Sequence, residues 1–370
     1  MSEPRVAIVS DPLVQRGGAE RCVEVMAQTF SSAPVYALLY SAESGPASLA
    51  ERVVASPLNR IPGATRRHRW LLPWYPAAVE SFDLSGFDAI ISSHHTAAKG
   101  ILRSARQFHL CYCHTPMRAL WERPHEELRT LPAPLRPAAA RTLRSLRAWD
   151  QACAQRVDQF VANSETTRQR IAAHYGRDSI VVHPPIDVQR FTPSDHAEDG
   201  DYYLVASRLV PYKRVDLAIA ATARVGRRLV VVGTGPGARD PALQAPHVDY
   251  RGHVSDDALL ALMRGARAML FPANEDFGMA PVEMMACARP VIAYRGGGAT
   301  ETVLEHVTGV FAEAQTPEAF AAAILRLERQ RFDRDRIRAH AERFSQARFV
   351  TALHELVQRG YDGLTERLSA

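Results

Sequence analysis

Lysine is almost missing from this chain: only Lys99 and Lys213 stand among its 45 basic residues. A strong arginine bias of the coding genome accounts for that, and a lysine kept against such a bias draws attention to its chemistry. Cysteine is scarce as well. The five cysteines, Cys22, Cys111, Cys113, Cys153 and Cys287, are too few and too scattered for a disulfide framework. The C-x-C spacing of Cys111 and Cys113 is wrong for a thioredoxin-type pair, and no Cys/His cluster accompanies it. No apolar run reaches the roughly 20 residues of a membrane-spanning helix. The opening residues Met1-Ser2-Glu3-Pro4-Arg5 lack the basic region, apolar stretch and small-residue cleavage site of a secretory signal. A reduced, cytoplasmic protein is the expectation, with room for peripheral attachment to the inner face of the cytoplasmic membrane.

What is present is ordinary for a globular chain: 46% hydrophobic and 23% charged residues, which excludes disordered, collagen-like and coiled-coil architectures. A length of 370 residues exceeds what one core serves, so two domains are expected. The net charge of +5 is unevenly spread. Residues 1–185 hold 22 Lys+Arg against 16 Asp+Glu, and the remainder 23 against 24. No aromatic-basic RNA motif, zinc finger or reading helix accompanies that excess, which excludes nucleic acid as the expected partner. An anionic membrane surface or a phosphate-bearing substrate suits it better. The local cluster Arg60, Arg66, Arg67, His68, Arg69, Trp70, Leu71, Leu72, Trp74 and Tyr75 marks the candidate membrane surface, although Pro62, Gly63, Pro73 and Pro76 break any long helix and aromatics packed under a loop explain the same residues.

Strand and helix signals alternate. Apolar strands are read at residues 5–10, 87–92, 107–112, 159–164 and 179–183, with an amphipathic helix from Ala19 to Phe30. The polar stretch Phe191 to Asp201 reads as a linker. The pattern then restarts, with strands at 202–206, 228–232, 248–252, 268–272 and 290–294 and a largely helical tail from Pro317 to Leu368. Two successive βα arrays predict an α/β protein of two doubly wound, Rossmann-like domains facing each other across a cleft, with ligands outside the carboxyl ends of the strands.

The segments at those strand ends carry the candidate chemistry. Glu275 and Glu283 stand eight positions apart around Asp276-Phe277-Gly278-Met279-Ala280, where a strand gives way to a helix whose first N–H groups form an anion site. An acidic first turn stabilised by the helix dipole explains the same residues without a ligand. Arg208 and Lys213 follow the first strand of the second array and can reach one anion, although a solvated basic loop is the commoner fate of such runs. Gly17 and Gly18 hold the equivalent place in the first array, or form a plain turn. His114 ends one strand, and His94 with His95 another, as acceptor contacts or as caps. Gly233-Thr234-Gly235-Pro236 imitates a dinucleotide fingerprint, but Pro236 interrupts the helix and no ribose-binding acid follows, so a strand with a glycine turn is the reading. Asp333-Arg334-Asp335 imitates a metal-binding DxD inside a charged helical stretch, and a solvated helix face is the expectation there.

Taken in order, Gly17-Gly18-Ala19-Glu20, Asn163-Ser164, Val182-His183-Pro184-Pro185, Ser207-Arg208 with Lys213, Val232-Gly233-Thr234-Gly235-Pro236, Gly252-His253-Val254, Glu275 to Glu283 and Gly296-Gly297-Gly298 resemble the retaining glycosyltransferases of family four. Tyr112-Cys113-His114-Thr115-Pro116-Met117-Arg118 is most similar to bacterial mannosyltransferases of O-antigen and exopolysaccharide assembly. The resemblance implies the type B fold, with an acceptor-binding domain at 1–187, a donor-binding domain at 188–344, and a C-terminal helix (about 345–370) crossing back to the first. It implies transfer of a sugar, mannose from GDP-mannose, to a lipid-linked or polysaccharide acceptor in surface-glycan synthesis. Arg208 and Lys213 would hold the diphosphate, Glu283 the ribose and Glu275 the sugar hydroxyls, with backbone N–H groups of Phe277, Gly278, Met279 and Ala280 beside them. Gly17 and Gly18 would admit the donor phosphate, His114 would sit by the sugar, and His94, His95 and Arg118 are the acceptor-side candidates. No cofactor and no metal are implied. A transferase of UDP-glucose or another UDP-sugar, or a sugar-nucleotide epimerase or hydrolase of the same fold, is the alternative.

Overall fold

The computed structural model describes residues 3–122, 124–129, 131–194 and 200–369. The chain divides into two compact units, Met1–Pro185 with Phe349–Ala370, and Ile186–Arg348.

The first unit is built on seven parallel strands: β1 (Val6–Ser10), β2 (Val35–Ala37), β3 (Val53–Ala55), β4 (Ala89–His94), β5 (Phe108–Cys113), β6 (Gln159–Ala162) and β7 (Ser179–Val181). Their order is β3-β2-β1-β4-β5-β6-β7. Every residue of β1, β4 and β5 is buried, as expected for strands covered on both faces. The pleat sends alternate side chains to opposite layers. Val6, Ile8, Ala89 and Ile91 join one apolar cluster, and Ala7, Val9 and Ile90 the other. Helices α1 (Gly18–Thr29), α2 (Tyr75–Glu80), α3 (Arg118–Trp121), α4 (Pro124–Arg129), α5 (Arg136–Ala154) and α6 (Glu165–Tyr175) form the layers. Within the candidate membrane segment Tyr75 is a correction. It is 3% exposed and its hydroxyl donates to the carbonyl of His68 at 2.9 Å, so it belongs to the core.

The second unit holds β8 (Tyr202–Ala206), β9 (Arg228–Val232), β10 (Val248–Gly252), β11 (Ala268–Phe271), β12 (Val291–Tyr294) and β13 (Gly309–Ala312), all parallel, in the order β10-β9-β8-β11-β12-β13. Its helices are α7 (Val215–Arg224), α8 (Asp256–Gly265), α9 (Met279–Ala286), α10 (Ala299–Thr302), α11 (Pro317–Glu328) and α12 (Arg334–Ala341). Asp333 is the N-cap of α12 and accepts from the N–H groups of Asp335 and Arg336, so the DxD imitation is a helix start.

The expected linker at 191–201 is also corrected. Residues 195–199 lie outside the described residues, but Phe191 is buried in the core of the second unit, and the Arg338 guanidinium bonds the carbonyls of Phe191 and Val188. The chain enters that unit at Ile186. The last helix, α13 (Gln346–Ser369), lies in the first unit from Phe349 onward. Its stripe Phe349, Leu353, Leu356, Val357 and Leu364 has the spacing of a helix face and packs with β1, β4 and β5 side chains. A Cβ on Gly360 would lie 2.0 Å from the Phe108 ring, so glycine there lets the helix backbone settle on that side chain.

In each sheet the strand order reverses at one place, between β1 and β4 and between β8 and β11. The loops that leave those paired strands diverge to opposite faces, and the gap at their carboxyl ends is where such folds place ligands.

Candidate active site

In the second unit the loops after β8 and β11 carry the predicted charges to the reversal point. Lys213 ends a 3-10 turn, Pro211–Lys213, and Glu275 lies in the loop between β11 and α9. Their side chains form an ion pair, with exposures of only 14% and 18%. Sixty-odd residues separate them in sequence, so the sheet order alone brings them together. Shielded from solvent, the pair is stronger than a surface salt bridge. The Lys213 ammonium also lies 5.6 Å from the Tyr212 ring centroid, and the Arg208 guanidinium donates to the Tyr212 hydroxyl at 3.0 Å. Tyr212 thereby places both cations on one loop.

That loop rests on the glycine turn after β9. The Leu209 N–H donates to the Thr234 carbonyl, and the Gly237 N–H to the Leu209 carbonyl, both at 2.8 Å. Gly233 has φ +134° and a Cβ there would stand 1.8 Å from the Ser207 carbonyl oxygen. The supposed fingerprint is the seat of the Arg208 loop.

The Glu275 loop is braced from its other side by the turn after β12. The Gly298 N–H donates to the Glu275 carbonyl at 2.8 Å. A Cβ on Gly297 would meet that same carbonyl at 2.2 Å, and one on Gly298 the Asp276 carbonyl at 2.3 Å. The glycine run 296–298 is a packing requirement of the site loop. Gly278, at φ +84°, begins α9, where the early N–H groups of the helix are unpaired within it. Glu283 is in the next turn of α9, 6% exposed. Arg208, Lys213, Glu275, Phe277, Gly278, Met279, Ala280 and Glu283 all belong to this one unit.

The first unit gathers a different set. His114 follows β5, and its Nε2 lies 2.8 Å from the Ser93 hydroxyl of β4. Its ring stands edge-on to Tyr112 and to His95, with centroids 5.2 and 6.2 Å away. Burial first, then the His95 charge, lowers the His114 pKa to about 3, so its ring is neutral near neutrality. His95 is partly exposed, with Nδ1 3.4 Å from an Asp11 oxygen.

Asp11, just after β1, escaped the sequence reading. Its carboxylate is 1% exposed and accepts four backbone N–H groups, from His95, Thr96, Ala97 and Ala98, at 2.6 to 3.0 Å. It fixes the loop that carries His95. The available signal was an acid directly after the first buried strand.

His94 is a correction. It is wholly buried, neither ring nitrogen has a hydrogen-bond partner among the described residues, and desolvation holds its pKa well below the usual value. An interior strand-end ring cannot touch an acceptor. Arg118 opens α3, 3.9 Å from the Glu122 carboxylate. Gly17 caps α1, and a Cβ there would lie 2.8 Å from a Glu20 carboxylate oxygen; Gly18 begins the helix.

Residues 16–190 match the family described as Glycosyltransferase Family 4, and residues 189–344 the family described as Glycosyl transferases group 1. Among curated proteins, D-inositol 3-phosphate glycosyltransferase of Geodermatophilus obscurus is 31% identical over 233 residues, covering 53% of this chain and 51% of that protein. The enzyme of the same name from Streptomyces bingchenggensis is 28% identical over 246 residues, covering 55% and 54%. The chain thus spans about half the length of the curated relatives it matches. Among solved structures, Anabaena HepE in complex with UDP and glucose superposes with a TM-score of 0.70 at 18% identity, over 96% of this chain and all of that one. Sucrose-phosphate synthase of Thermosynechococcus elongatus gives 0.66 at 18% identity, over 98% and 99%. These structures share the α/β fold of two Rossmann-like domains.

Proposed function

We propose that this chain, which belongs to the family-four glycosyltransferases, moves a sugar from a nucleotide donor to an acceptor with retention at the anomeric carbon. The observation that carries this reading is the shielded Lys213–Glu275 pair at the strand-order reversal of the second unit, with Arg208 beside it and Glu283 in the adjoining helix. Breaking a glycosyl-phosphate bond leaves negative charge on a diphosphate. Fixed cations at that place lower the barrier, because they are oriented before the charge develops. Arg208 supplies a planar fork and Lys213 a compact point charge. Glu275 holds Lys213 on one side and offers its carboxylate to donor sugar hydroxyls. Glu283 accepts hydrogen bonds from the ribose, and the N–H groups of Gly278, Met279 and Ala280 face sugar and phosphate.

The first unit serves the acceptor. His114 is neutral and stays so, which makes it a hydrogen-bonding partner for the sugar rather than a counter-ion. His95, whose Nδ1 lies 3.4 Å from Asp11, and Arg118 are the acceptor-side candidates. The cationic side chains replace a metal, so activity is expected to survive EDTA.

The proposed donor is GDP-mannose, on the Tyr112 to Arg118 motif, and the proposed acceptor a lipid-linked or polysaccharide glycan. A UDP-sugar is the second reading, favoured by the UDP and glucose bound in HepE. The test is thermal unfolding of the purified chain with each nucleotide sugar in turn, since a true donor stabilises by mass action. Protection by GDP-mannose above UDP-glucose supports the first reading and the reverse order the second. Protection by none of them removes both. Loss of transfer in EDTA, restored by Mn²⁺ or Mg²⁺, would overturn the metal-free mechanism.

A further inference from the structure

Two stretches of the first unit hold arginine and no acid. Residues 53–79 contain Arg60, Arg66, Arg67 and Arg69 without one Asp or Glu, and residues 129–149 contain Arg129, Arg136, Arg141, Arg144 and Arg147, again without one. Only the first stretch stood out in sequence, because there the charges adjoin tryptophans. The fold joins the two. Leu72 packs in one cluster with Leu143 and Leu146 of α5, and with Trp149 in another.

Large apolar side chains remain outside this junction. Trp70 is 65% exposed, Trp74 56%, Leu135 50% and Ile61 44%. The other two tryptophans are engaged: Trp121 Nε1 donates to Asp150 at 2.8 Å and Trp149 Nε1 to Glu80 at 2.9 Å. Trp70 and Trp74 lie four residues apart on the 3-10 stretch His68–Trp74, both exposed, while Tyr75 turns inward. Packing of the fold accounts for Tyr75 and leaves the two indoles unaccounted for. Arg66, Arg67 and Arg69 on this segment, and Arg141 and Arg144 on α5, are exposed.

We infer that this joint face of the His68–Trp74 turn and α5 is a docking surface for an anionic lipid bilayer. Tryptophan rings settle at the headgroup level, and Ile61 and Leu135 bury aliphatic surface there, while arginines from both stretches meet lipid phosphates. The nine arginines without a single acid supply the charge complementarity. A polynucleotide would satisfy the arginines but give the aliphatic side chains nothing to bury. The surface stands on its own residues, so its test is separate from that of the transfer reaction.

The experiment uses the full chain with vesicles of phosphatidylcholine alone and of phosphatidylcholine mixed with phosphatidylglycerol. It reads co-sedimentation across a salt series and tryptophan emission. Binding is expected on the mixed vesicles only, weakening as salt rises, with a blue shift in emission. Each arginine at such a surface is worth about fivefold in partitioning. The pairs Arg66→Ser with Arg67→Ser, and Arg141→Ser with Arg144→Ser, should each lose on the order of tenfold or more. Trp70→Ala with Trp74→Ala should abolish the blue shift. All these side chains are exposed, so the variants are expected to melt like the parent, and nucleotide-sugar protection should persist. Equal binding to neutral vesicles overturns the proposal. So does parental binding by the Arg141/Arg144 variant, because the surface would then not include α5. Duplex DNA bound as tightly as the mixed vesicles, with no blue shift on either, would mark a polyanion site instead.

Discussion

The carboxyl edges of the two sheets have the same geometry and opposite chemistry. In the second unit the reversal point between β8 and β11 is fully charged: Arg208, Lys213, Glu275 and, in the next helix, Glu283. In the first unit the ends of β1, β4 and β5 and the segments after them hold His94 and His114, which burial keeps neutral, the partly exposed His95, the Asp11 carboxylate spent on backbone N–H groups, and Lys99, paired with Asp150 in the interior. Fixed opposite charges can neutralise a leaving diphosphate and grip hydroxyls. Neutral rings can position a polar acceptor without competing for that phosphate. One supersecondary plan thus carries two different sets of side chains after its strands.

The contrast should break first in the charged edge. Arg208→Ala, Lys213→Ala and Glu283→Ala are each expected to cut transfer turnover by roughly a hundredfold or more, about 3 kcal/mol, while the protein stays folded. Lys213→Arg should also be damaging, because a planar fork does not replace a point charge in a confined site. Any of the alanine variants transferring at the parental rate, with an unchanged circular dichroism spectrum, would remove that residue from the site.

In the neutral edge the expected loss is one of stability and placement. Asp11→Ala leaves four N–H groups of the His95 loop without their acceptor and should cost about 3 kcal/mol, read as a lower denaturant midpoint. Asp11→Asn keeps one amide oxygen as acceptor and should lose less. If both melt like the parent, the four hydrogen bonds do not organise the loop.

A further effect is a pH dependence to which the buried histidines of the first unit contribute. Burial lowers the pKa of His109 and of His114 to about 3, and that of His94 in the same direction. The unfolded chain takes up these protons near pH 6.5, so between that pH and about 3 it binds more protons than the native state. Stability should be intact above about pH 6.5 and decline as pH falls, by about 1.4 kcal/mol per pH unit for His109 and for His114, with His94 acting in the same direction. His109→Gln, which can still meet Ser92, should flatten that decline in a urea series across pH. An unchanged slope would show that His109 is not a source of it.

Much of this was legible along the chain. Strands such as β1, β8, β9 and β11 are nearly continuous apolar runs, as doubly covered parallel strands are. Glycine and charge after such runs singled out Arg208, Lys213, Glu275 and Glu283, and the fold places them in one unit beside its strand-order reversal. Strands β2, β3 and β13, three or four residues each, escaped notice because they are so short, although β2 lies in the apolar run 33–40, and α5 escaped as well, although Leu143, Leu146 and Cys153 repeat at helical spacing. Phe191 looked like part of a polar linker, yet it fills the second core, because burial depends on what packs over a side chain and not on its sequence neighbours.

The sequence by itself determined the alternation of strand and helix, the two βα arrays and the residue types that await at their ends, because those follow from local periodicity and from backbone preferences. Tertiary structure alone decided the rest. Strand order joined Lys213 to Glu275 across 62 positions. The depth of the sheet buried His94 while leaving its neighbour His95 partly open. Close approach of one loop to another required glycine at 233, 297 and 298. Pairing, depth and contact between distant segments are set by the free energy of packing the whole chain, and no local window of residues contains them.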